Sequence, residues 1–324
     1  MNYSTLQQIY DLYLKHPQIS KDTRDIPKGS IYFALKGESF DGNEFAEEAI
    51  HKGAAYVVID NPQFQKDERY LLVDDSLQCL QELARHHRKQ LDIPIIGITG
   101  SNGKTTTKEL IAEVLSKKYK LHYTPGNYNN HIGVPLTVLQ IKKDIELAVI
   151  EMGANHVGEI KFLSEIAQPT HGMITNIGKA HLEGFGGVEG IKKGKSELYR
   201  FLDSVDGKVF INSDDEVLKS LLPANIQTIG YAEKENSYCK GELQETHPQI
   251  SGSWKCEDRS GTIHSPLYGE YNFKNMLAAI CIGNYFEVLP ADIDQAIASY
   301  DSKINRSQKI ERDGYTIYLD AYNA

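Results

Sequence analysis

The segment Gly97-Ile98-Thr99-Gly100-Ser101-Asn102-Gly103-Lys104-Thr105-Thr106-Thr107 constrains the fold more than any other stretch of the chain. It continues the apolar run Ile95 to Thr99. It also opens a predicted helix from Thr105 to Lys118, with Leu110, Ile111, Val114 and Leu115 on one side. Strand, glycine loop, Gly-Lys-Thr and helix, in that order, are the setting of a phosphate-binding loop. Glycines let backbone N–H groups curl around phosphate oxygens, and the helix N-terminus adds its positive dipole end. Gly100, Ser101, Asn102, Gly103 and Thr106 are thus candidate nucleotide contacts. Lys104 can reach the β- and γ-phosphates of ATP, and the Thr105 hydroxyl can hold Mg²⁺. The strict pattern needs glycine where Ile98 stands, so this is a variant, T-G-S-N-G-K-T. A glycine-rich turn that binds nothing is the alternative.

The rest of the chain alternates strands and helices. Upstream, Ile31 to Leu35, Ala54 to Ile59 and Tyr70 to Val73 read as strands. Asn43 to Lys52 and Ser76 to Gln90 read as helices. Asp92-Ile93-Pro94 reads as a linker. Downstream, Ile145 to Glu151, Gly172 to Asn176 and Lys208 to Asn212 are buried-strand patterns, with helices over 158–167 and 188–202. Residues 237–268 are polar and strand-like, and predict an antiparallel patch. Helices are expected over 272–286 and 290–299. The fold class is therefore α/β: a small N-terminal α/β domain (1–91), then a P-loop domain (92–308) with a mostly parallel, helix-flanked sheet. The chain stops at YTIYLDAYNA, just after a strand pattern, so 309–324 is read as the start of a further domain that is absent.

Composition narrows the class. At 324 residues, 40% hydrophobic and 24% charged, the chain matches soluble globular proteins. A net charge of −9 disfavours a general nucleic-acid binder. The N-terminus, MNYSTLQQIYDLYLKH, lacks a signal-peptide pattern, and no apolar run approaches the roughly 18 residues that span a bilayer. Cys79, Cys239, Cys256 and Cys281 form no C-x-x-C pair and suit neither a zinc site nor a small disulfide framework. They are expected as free, mostly buried thiols in a reducing cytoplasm. A monomer is expected.

Three later residues bear on chemistry. Glu151 ends the strand IELAVIE, where open α/β sheets place their ligands, and can serve as a Mg²⁺-directed carboxylate. His181, in Asn176-Ile177-Gly178-Lys179-Ala180-His181, can be a second metal ligand, although an isolated histidine is more often structural. Lys195, in Gly194-Lys195-Ser196-Glu197, reads by itself as a solvated lysine.

TGSNGKTTT, GNYNNHIGVPLT, EMGANHVGEI, NIGKAHLEGFGG, GKSELY, GEYNFKNMLAA and the terminal LDAYNA together resemble the Mur ligase family. The likeness is greatest to the members that add D-alanyl-D-alanine. DTRDIPKGSIYFALKGESFDGNEFAEEAI resembles their N-terminal domain, so the resemblance covers nearly the whole chain in order. It implies three domains: one for the UDP-sugar, a central ATPase and a C-terminal Rossmann-like domain, the last absent here. It implies two Mg²⁺ sites, with Thr105 and Glu151 at the first and His181 at the second. It implies that Lys195 is carbamylated, since an ammonium cannot ligate Mg²⁺ whereas a carbamate offers anionic oxygens. Lys104, His181 and Lys195 would form the catalytic set. Asn275 matches an adenine-contacting asparagine, and Arg306 and Asp320 match positions near the ribose and phosphates. Asn129 and Asn130 resemble positions facing the substrate peptide. Thr23, Arg24, Ser39 and Phe40 resemble a uridine-nucleotide site, although such residues also favour turns.

The activity implied is ATP-driven amide formation. A carboxylate of UDP-N-acetylmuramoyl-tripeptide attacks the γ-phosphate, and the amine of D-alanyl-D-alanine displaces phosphate from the resulting acyl phosphate. A chain lacking the third domain is expected to bind substrate but to turn over poorly. The competing readings are a folylpolyglutamate-type ligase or another step of the same pathway, a non-catalytic UDP-precursor-binding module, and a general P-loop NTPase.

Overall fold

The computed structural model describes residues 3–246, 249–300, 308–312 and 315–319. The chain divides into two compact units. One comprises 1–92 with 128–143 and 165–168, and the other 93–127, 144–164 and 169–324. The first unit thus gathers two later stretches in addition to the contiguous N-terminal segment.

The first unit opens with a helix the sequence pattern did not reveal, α1 (Tyr3–Lys15), which buries Ile9, Tyr10 and Tyr13. Strands β1 (Ile19–Ser20), β2 (Ile31–Phe33), β3 (Tyr56–Ile59) and β4 (Tyr70–Leu72) form one sheet in chain order, every pair parallel. Helices α2 (Ala46–His51) and α3 (Ser76–Arg88) complete the alternation. Asp75 starts α3 by accepting a 2.8 Å bond from the Gln78 N–H. Because the strands are parallel, the loops after β1 and β2 leave from the same edge of the sheet, side by side.

The second unit begins with β5 (Ile95–Thr99), all five residues buried, then α4 (Lys104–Leu115) and the short β6 (Leu121–Tyr123). Helix α5 (Gly133–Leu139) belongs to the first unit. The chain continues with β7 (Leu147–Glu151), α6 (Glu159–Ala167), β8 (His171–Ile174), α7 (Leu182–Phe185), α8 (Val188–Lys195), α9 (Glu197–Ser204), β9 (Lys208–Asn212), α10 (Glu216–Ser220) and β10 (Gln227–Ala232). The single helix expected over 188–202 is broken at Ser196. The Ser196 hydroxyl bonds the Lys193 carbonyl (3.2 Å), and Arg200 takes the same carbonyl (2.8 Å), so side chains compete with the helical ladder.

Strands β11 (Cys239–Glu245), β12 (Ile250–Cys256) and β13 (Arg259–Ser265) are the expected antiparallel patch. They extend the main sheet, because β11 pairs in parallel with β10. The nine strands run β13-β12-β11-β10-β9-β8-β5-β7-β6. Helix α11 (Tyr271–Tyr285) is buried nearly all round and packs on α4. Helix α12 (Pro290–Ser299) lies along β13. Its Asp294 carboxylate accepts from the Trp254 indole (2.7 Å) and from the Thr262 backbone N–H (2.9 Å). Strands β14 (Gln308–Arg312) and β15 (Tyr315–Leu319) form an antiparallel pair. Among the described residues no helix is long and apolar enough to cross a membrane.

The cysteine expectation needs correction. Cys79 and Cys281 are buried thiols, but Cys239 and Cys256 form a disulfide. They stand directly opposite each other in the β11–β12 ladder, with Cα atoms 4.1 Å apart. Directly opposed residues bring their Cβ atoms within bridging range, and chain spacing alone does not disclose that register.

Candidate active site

Strand β5 lies between β7 and β8, and the chain crosses from one side of it to the other. The carboxyl ends of β5, β7 and β8 therefore meet where such sheets bind ligands. The glycine loop leaves β5 with Gly100 at φ +144° and enters α4 with Gly103 at φ +77°. At Gly100 any side chain would also collide with its neighbour, since a Cβ there would lie 2.0 Å from Thr175 Oγ1. The loop is laced to the segment after β8. Ser101 N–H bonds the Asn176 carbonyl (3.0 Å), Asn102 N–H bonds Asn176 Oδ1 (3.1 Å), and Thr175 Oγ1 donates to the Asn102 carbonyl (2.6 Å). Lys104 Nζ lies along the loop, donating to the carbonyls of Gly100 (2.8 Å) and Ser101 (3.1 Å). Asn275 sits beside Gly103, with its Oδ1 3.1 Å from where a Cβ would be. Thr175 and Asn176 were not singled out in the sequence; their signal was position, immediately after a buried strand.

Thr105 and Glu151, 46 residues apart, meet here. The Thr105 hydroxyl donates to Glu151 Oε1 at 3.2 Å, and Glu151 is 1% exposed. Adjacent oxygens of octahedral Mg²⁺ lie about 2.9 Å apart when each is about 2.0–2.1 Å from the metal, so this hydroxyl–carboxylate pair fits two neighbouring ligand positions. Among the described residues no three His, Cys, Asp or Glu side chains cluster as a ligand set. Lys108, one helical turn beyond Thr105, is fully buried with Nζ 3.8 Å from Glu151 Oε2.

Lys195 is not the solvated lysine its isolated sequence context suggests. It ends α8, is 2% exposed, and donates to the Ala154 carbonyl at 3.3 Å. Burial, with the Lys104 ammonium nearby, pulls its amine down to about 7. Such an amine is largely neutral and nucleophilic just above neutrality. The adjacent Glu197 carboxylate accepts from Gly158 N–H (2.7 Å) and Lys161 N–H (2.9 Å), capping α6 and fixing the loop after Glu151. His181 is exposed, at φ +56° at the start of α7. Helix α7 packs on the Asn155–His156 loop through Gly184. No described bond or ion pair joins His181 to Thr105, Glu151 or Lys195.

In the first unit, Thr23 and Arg24 follow β1, while Ser39 and Phe40 follow β2, at the shared sheet edge. Arg24 is paired with Asp22 at 2.6 Å, and the Thr23 carbonyl accepts from Lys52 Nζ at 2.9 Å. Ser39 and Phe40 are exposed. Between the two loops the Tyr32 phenol is pushed up to about 12, mainly by burial and further by Asp22, Glu48 and Asp41. Asn130 uses its side chain locally: Oδ1 accepts from Ile132 N–H (3.1 Å) and Gly133 N–H (2.9 Å) at the start of α5. Asn129 precedes that turn. Arg306 and Asp320 lie outside the described residues.

Two family models match the chain: the Mur ligase middle domain over residues 98–283, and the Mur ligase family catalytic domain over residues 18–88. The UDP-N-acetylmuramoyl-tripeptide–D-alanyl-D-alanine ligase of Bacillus subtilis is 38% identical over 310 residues, covering 94% of this chain and 67% of that protein. The chain thus spans about two thirds of that relative. A crystal structure of MurF from Acinetobacter baumannii superposes with a TM-score of 0.86 at 31% identity, covering 99% of this chain and 73% of that one. MurF ligase of Thermotoga maritima in complex with ADP gives 0.83 at 30% identity, covering 97% and 72%. With its P-loop, its Thr105–Glu151 pair and the buried Lys195 arranged on this sheet, the chain belongs to the Mur ligase family.

Proposed function

We propose that this chain carries the nucleotide and UDP-precursor sites of an ATP-dependent ligase that joins D-alanyl-D-alanine to UDP-N-acetylmuramoyl-tripeptide in peptidoglycan precursor synthesis. The observation that carries the reading is Lys195 itself, 2% exposed at the end of α8 and bonded to the Ala154 carbonyl in the loop after Glu151. A general P-loop NTPase has no use for it. The substrates are those named for the relatives above, and the ADP complex of the Thermotoga relative supports the nucleotide.

In this reading Lys104 and the first turn of α4 bind the phosphates and hold the γ-phosphoryl for in-line attack by the tripeptide carboxylate. Thr105 and Glu151 would hold the first Mg²⁺. Lys195, as its carbamate, and His181 would hold the second. Bound Mg²⁺ neutralises charge that develops on the transferring phosphoryl. Asn275 borders the nucleotide. Arg306 and Asp320 are assigned near the ribose and phosphates. Thr23, Arg24, Ser39 and Phe40, in the 1–91 domain, are assigned to the uridine nucleotide. Asn129 and Asn130 are assigned to the substrate peptide, and Asn130 also shapes that turn. The setting is the cytoplasm, whose reducing poise would open the Cys239–Cys256 bridge.

The test is calorimetry of the chain with Mg·ADP and with UDP-N-acetylmuramoyl-tripeptide, together with mass analysis for the pentapeptide product after addition of ATP and D-alanyl-D-alanine. Binding of both ligands, or product, supports the assignment. A chain that binds Mg·ADP but not the UDP-precursor would be a general nucleotide-binding protein, and the proposal would fail.

A further inference from the structure

We infer that Lys108 is a positioning residue whose buried ammonium stands at Glu151 in place of a divalent cation, so that the site takes Mg²⁺ together with nucleotide in preference to free Mg²⁺. This rests on the Mg²⁺ role proposed for Thr105 and Glu151.

Thr105 and Lys108 are three residues apart on α4, so both project from the same face of its first turns. Both reach Glu151. The hydroxyl meets Oε1 at 3.2 Å and the ammonium lies 3.8 Å from Oε2, with the Lys108 and Glu151 side chains 0% and 1% exposed. Lys108 Nζ also donates to the Gly126 carbonyl at 3.0 Å and lies 3.9 Å from the Glu109 carboxylate. Two residues before Gly126, the Thr124 hydroxyl accepts from Glu151 N–H at 2.9 Å. Segment 124–126 therefore grips Glu151 twice, once through its backbone and once through Lys108. The result is a carboxylate aimed at Thr105 before any metal arrives.

A fixed positive charge beside a metal ligand has a second effect. It repels an incoming dication, strongly so where water is excluded. Free Mg²⁺ gains only Glu151 and a hydroxyl against that repulsion, whereas Mg²⁺ carried by a nucleotide brings its own phosphate charge. Lys108 thus sets an order of preference while keeping the ligand in place.

The experiment titrates MgCl₂ into wild type and Lys108→Met, each with and without ADP, by calorimetry and by thermal shift. Lys108→Met keeps the side-chain length and removes the charge. It is expected to bind free Mg²⁺ at least about tenfold more tightly than wild type and to show a larger Mg²⁺-induced thermal shift. An unchanged Mg²⁺ half-saturation, with only a lowered melting temperature, would reduce Lys108 to a packing residue and overturn the inference. If Lys108→Met does not fold, the double variant Lys108→Met/Glu151→Gln decides. Restored folding supports the pairing, because the orphaned buried carboxylate is removed with it; failure to restore it overturns the pairing. A wild-type chain that binds no Mg·ADP would instead overturn the nucleotide reading on which this depends.

Discussion

His171 opens β8 at the end of the strand opposite to the one that leads to the glycine loop, and offers a test of how burial sets charge in this sheet. Its Nδ1 shares a 2.9 Å bond with Thr170 Oγ1, and its Nε2 a 3.2 Å bond with the Tyr285 hydroxyl. The Tyr285 oxygen already accepts from Lys208 Nζ at 2.9 Å, so its proton is left for Nε2, which favours the neutral ring. Burial first, and the Lys208 charge second, push the imidazole down from 6.5 to about 4. The unfolded chain therefore takes up this proton before the folded one does. Stability is intact above about 6.5 and is lost as pH falls from there through 4. For values of 6.5 and about 4, linkage gives a loss of about 2 kcal/mol between pH 7 and pH 5. Replacing His171 with Phe removes the titration and two hydrogen bonds, at a cost of about 1–2 kcal/mol at pH 7. Thr170 keeps its bonds to Ile95, and Tyr285 keeps Lys208. The assay is urea unfolding followed by Trp254, the single tryptophan of the chain, which is 2% exposed on β12 of the same sheet. His171→Phe is expected to be the less stable protein at pH 7, with the gap closing by about 2 kcal/mol at pH 5. A gap that stays constant across this range would refute the argument that the folded protein resists protonating His171.

Gly100→Ala forces a Cβ to within 2.0 Å of Thr175 Oγ1 at φ +144°; strain of about 1–3 kcal/mol should weaken ADP binding by about five- to 150-fold, read by calorimetry, with circular dichroism unchanged. The Lys195 amine, held at about 7 by burial and Lys104, must be neutral to capture CO₂. With ¹³C-bicarbonate, a carbamate carbon signal should grow as pH rises from 6 to 8, and its persistence in Lys195→Arg would sink that assignment. Opening the Cys239–Cys256 bridge, which closes a separation of 17 residues, should cost about 3 kcal/mol. Trp254 unfolding with and without reductant measures this, and an unmoved midpoint would refute it.

The alternation of elements was legible because apolar runs here are bounded by strong punctuation. The observed bounds of β5, β9 and α12 coincide with those read from Ile95 to Thr99, Lys208 to Asn212 and 290–299. Helix α1 was missed because its buried face is carried largely by tyrosines amid polar residues, which obscures the apolar period. Glu151 was legible as the acid ending a buried strand. Lys108 was not, since lysine on an amphipathic helix reads as solvated until the strand end facing it is known. The same blindness to partners hid the Cys239–Cys256 bridge, which depends on hairpin register. Asn130 also carries a role that its motif did not disclose, since its side-chain oxygen accepts from two backbone N–H groups of its own turn.

Asp294 has a consequence for solubility. Strand β13 is an outer strand of the nine-stranded sheet, and the outward N–H of Thr262 would otherwise be open to a strand from another molecule. The Asp294 carboxylate occupies that donor and places a negative charge on the rim, while its second oxygen ties α12 to Trp254. One side chain thus blocks one rung of this edge to intermolecular β-pairing. Its loss would be felt as self-association at high concentration, even where nucleotide binding is untouched.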